Sequence, residues 1–154
     1  MELDLELDLV TLTKSLVSKE LPLVTNLSNL SSLLKAYFKG ASWVGFYLVN
    51  KTKEELYLGP FQGSVACTLI PKGKGVCGTA YLTKKSQLVE DVNKCNNHIA
   101  CSSSTQSELV VPIICQEEVV GVIDLDSEHL AYFTNEHEKL LERVADLISP
   151  LFEE

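Results

Sequence analysis

The chain has 154 residues, 45% of them hydrophobic and 22% charged, a balance that suits one globular domain with a real core and excludes a disordered segment. Its net charge is −8 and its pI is near 4.9, which disfavours nucleic acid and anionic membrane surfaces and favours a ligand carrying an amino group. No apolar run approaches the roughly 20 residues of a membrane-spanning helix, and the acidic "MELDLELDLV" lacks the basic start of a secretory signal, so a reducing, cytoplasmic setting is expected.

Leu9, Leu12 and Leu16 stand at helical spacing and predict a helix over residues 8–20. Pro22 interrupts it and suits the first turn of a second helix. That helix carries Leu23, Leu27, Leu30, Leu34 and Phe38 as one apolar stripe, with Ser28, Ser31 and Ser32 toward solvent and Gly40 as its stop. The period then changes. "SWVGFYLVN" reads as a strand, "ELYLGPF" pairs back on it, and "SVACTLI" is a third short extended piece. "PKGKG" is a turn, "VCGTAYLTKK" a short helix, "SQLVEDV" a strand, and "NKCNNHIACSSSTQ" a loop. "SELVVPIICQ" and "EEVVGVIDLDS" form a hairpin around residues 116–118, with Pro112 at an edge or bulge position. Thr134 is a helix N-cap; Glu136 and Glu138 follow in the first turn of a final amphipathic helix. The whole is expected to be a single α+β domain over residues 1–154, an antiparallel sheet flanked by N- and C-terminal helices.

Five cysteines without an export signal point to reactive, ligating or core thiols, not structural disulfides. Three N-x-S/T matches, at Asn26, Asn29 and Asn50, carry no meaning in that setting. Cys101 sits in a polar loop beside His98 and Glu108, the surroundings in which a thiol becomes a reactive thiolate. Cys77 lies next to Gly78 and two residues after Gly75, where another group can approach closely. Cys67 fits a reactive or a filling role, and Cys115 reads as an apolar strand residue. Cys95, His98 and Cys101 are spaced three apart and raise a zinc site, but no second Cys/His pair completes it. Asp124 and Asp126 share one face of a strand, and so do Trp43 and Tyr47. The acids are either solvated or grip an ammonium group; the aromatics are either core or a wall for a sulfur-bound methyl group. A calcium loop is excluded by His129 at the position that requires Gly.

Read together and in order, "WVGFY", "GPFQGSVAC", "IPKGKGVCGTA", "VEDV", "HIACSSSTQSE", "VVPI" and "GVIDLDS" resemble the free methionine-R-sulfoxide reductases, a family on the GAF fold. The resemblance runs from Trp43 to Asp126 and includes the spacing of three cysteines. It implies reduction of free methionine-R-sulfoxide with thioredoxin as reductant, no metal and no organic cofactor, and a possible homodimer. By motif, Cys101 resembles the catalytic cysteine, Cys77 the main resolving cysteine and Cys67 a second one. Trp43 and Tyr47 resemble the aromatic part of the pocket; Glu108, Asp124 and Asp126 resemble the substrate-binding carboxylates, with Glu108 also the expected proton donor and Asp124 or Asp126 its rival. Ser102 stands where relatives often carry Asp, and Cys95 is additional. The competing expectations are a non-catalytic GAF module that binds a small molecule and a thiol switch that reports oxidation to a partner.

Overall fold

The computed structural model describes residues 8–95 and 104–153. Helices α1 (Leu9–Leu16) and α2 (Leu23–Tyr37) come first, then strands β1 (Ala41–Asn50), β2 (Glu55–Gln62) and β3 (Leu69–Pro71). Helix α3 (Gly75–Thr83) and strand β4 (Gln87–Val89) follow, then the hairpin of β5 (Ser107–Cys115) and β6 (Glu118–Ser127), and last α4 (Asn135–Ile148). The six strands form one antiparallel sheet in the order β3-β2-β1-β6-β5-β4.

Strand periodicity divides the molecule in two. Val44, Phe46, Leu109, Val111, Ile123 and Leu125 turn to one face and pack under Leu27, Leu30 and Leu34 of α2 and Leu141, Val144 and Ile148 of α4. Their neighbours in sequence turn to the other face, where Trp43, Tyr47, Val110 and Val122 meet Val76, Cys77, Ala80 and Tyr81 of α3. α3 is therefore the lone helix on the second face among the described residues, and it leaves part of that face uncovered.

Local chemistry explains the element ends. The first helix stops at Leu16, short of the expected residue 20, because Asn26 captures the connecting chain: its Oδ1 accepts from the Ser18 N–H (3.0 Å) and its Nδ2 donates to the Ser18 carbonyl (2.8 Å). Asn26 is thus buried, as no glycosylation acceptor can be. Pro22 lies one residue before α2, at its N-cap, not inside the first turn. Ser31 is buried, not at the solvent face; its hydroxyl bonds to the Ser28 carbonyl, which removes the cost of burying it. Gly40 is not a left-handed cap, since α2 ends at Tyr37 with Phe38 as its C-cap; Gly40 packs under Tyr132, whose hydroxyl accepts from its N–H. Thr134 caps α4 as expected, with His137 completing a reciprocal capping box.

Strand β4 pairs with β5 only as far as Val110, so Pro112 lies where β5 is an outer strand and no ladder partner is lost. Beyond it a register shift falls between Ile113 and Ile114, and the hairpin closes through Gln116 (φ 53°) and Glu117 (φ 70°). Positive φ at both central residues is the type I′ turn, for which Asn-Gly is the favoured pair and Gln-Glu is strained. Replacing Gln116 and Glu117 with Asn and Gly should therefore stabilise the protein by about 1 kcal/mol, read as a raised urea midpoint with an unchanged slope.

Candidate functional site

Cross-strand register builds the site. Trp43 on β1, Asp126 on β6 and Glu108 on β5 lie in one row, and Gly45, Asp124 and Val110 form the next. Antiparallel partners share a face, so three carboxyl groups from two neighbouring strands converge beside the aromatic residues. Glu108 is 6% exposed and Asp124 5%. Asp126 is less covered overall, but its Oδ1 is closed off from solvent without a hydrogen-bond partner among the described residues.

The aromatic side is a stack. The Trp43 ring lies 5.3 Å from Phe61, nearly parallel at 18°, and 6.0 Å from Tyr47 at 26°. Gly45, directly between Trp43 and Tyr47 in sequence, makes this possible. A Cβ there would stand 2.6 Å from Trp43 Cη2 and would also strike Phe61, so a side chain at position 45 would break the stack.

Acids and aromatics enclose a cavity of about 220 Å³. Its rim is closed by Ser64, Val65 and Ala66 on one side and by Lys74, Gly75 and Val76 at the start of α3 on another. The strand row meets the helix at Cys77, whose sulfur lies within 4.8 Å of carboxylate oxygens of Glu108 and Asp124. These three donors are the group among the described residues that could share a metal ion; the zinc alternative drew on Cys95, His98 and Cys101, of which the last two lie outside the described residues.

The electrostatics follow from burial. Glu108 is pushed well above the ordinary carboxylate range, first by loss of water and then by the Asp126 charge. Asp126 is raised in the same way by burial and then by Asp124. Burial followed by the Asp124 charge also raises the Cys77 thiol and the Tyr47 phenol, which keeps both protonated. At least one of these carboxylic acids therefore retains a proton that it would lose in water.

The expected residues Trp43, Tyr47, Cys77, Glu108, Asp124 and Asp126 all line this cavity. Cys67 packs against the same cluster, as does Cys95, a free thiol. Cys101 lies outside the described residues. Cys67 is disulfide-bonded, whereas Cys77 and Cys115 are free. The disulfide involves Cys67, the residue that the resemblance ranked second as resolving thiol after Cys77. Phe61 and the 64–66 rim went unrecognised in the sequence; a glycine inside the aromatic strand was the one available signal for the stack.

Raised carboxyl values carry a sign for stability. The folded state binds more protons than the unfolded chain once the pH passes the ordinary values, 4.5 for Glu108 and 3.8 for Asp126. Stability must then fall as pH rises from there until the raised values are passed. Ligand-free protein should unfold at lower urea at pH 8 than at pH 5.5, and Asp126→Asn should flatten that difference; an equal pH dependence in the variant would contradict the assignment.

The GAF domain family model matches residues 28–153. The free methionine-R-sulfoxide reductase of Saccharomyces cerevisiae is 48% identical over 132 residues, covering 82% of this chain and 73% of the yeast protein. The Escherichia coli enzyme of the same name is 40% identical over 130 residues, covering 84% and 78%. The free methionine-R-sulfoxide reductase of Neisseria meningitidis, solved in complex with its substrate, superposes with a TM-score of 0.84 at 42% identity, covering 94% of this chain and 83% of that one. With a GAF domain over residues 28–153 and this close to those enzymes, the chain belongs to the free methionine-R-sulfoxide reductase family.

Proposed function

We propose that the protein reduces free L-methionine (R)-sulfoxide to L-methionine. The observation that carries this reading is the row of buried acids facing the Trp43–Tyr47 stack across one small cavity. A volume of about 220 Å³ holds about seven waters at their liquid density, the scale of one free amino acid. The acids suit its ammonium group and the stack suits its methyl-sulfur end. Phosphate-bearing ligands of a sensor module would be repelled by the same acids.

The chemistry is a thiol cycle. The Cys101 thiolate attacks the sulfoxide sulfur, and the departing oxygen must gain a proton as the S–O bond weakens. Glu108, held protonated by burial and by Asp126, is the donor; Asp124 and Asp126 grip the ammonium group. The protonated oxygen leaves as hydroxide, and Cys101 is joined to the substrate sulfur as a sulfonium. Hydroxide then attacks the Cys101 sulfur, the S–S bond breaks, methionine leaves and Cys101 carries a sulfenic acid. Cys67 condenses with it, forming the disulfide and releasing water. Thioredoxin then returns two electrons by thiol–disulfide exchange. Cys77 serves as pocket wall. The enzyme works in the cytoplasm, where such a reductant keeps thiols reduced; no helix among the described residues is long and apolar enough to cross a membrane. Exposed Val24 and Tyr57, which line one apolar groove, support a homodimer.

NADPH consumption with thioredoxin and its reductase tests the reading. On racemic free methionine sulfoxide it should stop at half the substrate. Cys101→Ser should show only background, and Cys67→Ser should yield one methionine per enzyme and stall, while Cys77→Ser keeps turning over. Wild-type protein that consumes nothing, or Cys101→Ser that turns over fully, would overturn it.

A further inference from the structure

Two pocket residues do more than face the ligand. The Tyr47 hydroxyl donates to the Cys67 carbonyl oxygen at 2.9 Å, and the Trp43 Nε1–H donates to the Ser64 carbonyl oxygen at 3.0 Å. Both acceptors are backbone atoms of the segment that joins β2 to β3, so that segment is pinned at both ends by the aromatic wall. Between the pins lies Val65, 89% exposed, which buries nothing that would hold the segment in place. Gly63 begins it at φ +135°, with Trp43 Cδ1 2.5 Å from where a Cβ would stand. The carbonyl of Thr68 is held in turn by the Leu58 N–H (3.0 Å).

We infer that Tyr47 and Trp43 are positioning residues for the resolving cysteine: their hydrogen bonds hold the Cys67 segment against the pocket, so that the thiol stands ready when the sulfenic acid forms. This rests on the reading above, in which Cys67 resolves. The step they assist is Cys–SOH plus Cys67–SH giving the disulfide and water, and the bonds change its rate without taking part in its proton or electron transfer. Tyr47 is suited to the task because its phenol stays protonated, and so remains a donor, throughout the working pH range. The same two side chains thus couple the surface that receives the substrate to the residue that completes the cycle.

The experiment separates the two steps. Fully reduced protein is mixed rapidly with one equivalent of free methionine (R)-sulfoxide without thioredoxin. Methionine is quantified after acid quench, and the Cys67 disulfide by alkylation and mass mapping, with dimedone trapping the sulfenic acid. Tyr47→Phe keeps the ring and loses the donor. It should slow disulfide formation about fivefold more than it slows methionine formation, the ratio expected for one lost hydrogen bond, and lengthen the life of the dimedone-reactive species. Trp43→Phe, which removes the other donor and keeps an aromatic ring, should skew the two rates the same way, and decides the matter if Tyr47→Phe does not fold. Equal slowing of both steps, or a change confined to substrate concentration dependence, would overturn the inference by reducing both residues to pocket wall. Wild-type protein that makes no methionine would instead defeat the functional reading itself, and methionine formation with the disulfide on a cysteine other than Cys67 would defeat the positioning role alone.

Discussion

Everything in this pocket depends on three carboxyl groups brought together out of water on adjacent strands. Coulomb repulsion at such range in a poorly solvated site is strong enough that the acids cannot all ionise unaided. Two resolutions exist: retain a proton, or admit a cation. The first leaves a carboxylic acid able to donate a proton; the second favours a ligand with an ammonium group. In the proposed function, one electrostatic conflict serves both ends.

That conflict survives only if register is held. Moving β5 by one residue against β6 would turn Glu108 toward the helices and leave Asp126 beside an apolar partner. The hairpin is set by a two-residue turn with both residues left-handed and by the register shift at Ile113 and Ile114. Local strain at the turn thus lies in the same hairpin as the alignment at its far end. The two-sided core adds to this: α1, α2 and α4 cover one face, while α3 on the other leaves the gap that becomes the pocket.

The helices, the hairpin and the shared faces of Trp43 with Tyr47 and of Asp124 with Asp126 were legible because each is a period carried by neighbouring residues. Sheet order was not, since nothing local says that β6 pairs with β1. For the same reason the sequence left the two aspartates open between solvent and site; Glu108 joins them only through the Glu108–Asp126 register. Ser31 misled because a serine that bonds its own helix backbone can be buried cheaply, and Gly40 misled because its smallness serves Tyr132 rather than a helix end. Cys77 and Cys67 were ranked by motif, and burial is what separates them: a thiol beside acids in a closed site differs in kind from one on a surface segment.

Trp43 is the sole tryptophan of the chain, and its indole touches the cavity, the stack and the backbone of the Cys67 segment at once. The tryptophan fluorescence of the folded protein therefore originates at the pocket. The indole's place on the cavity wall and its bond to the Cys67 segment make this side chain a built-in optical reporter for ligand binding and for redox change there.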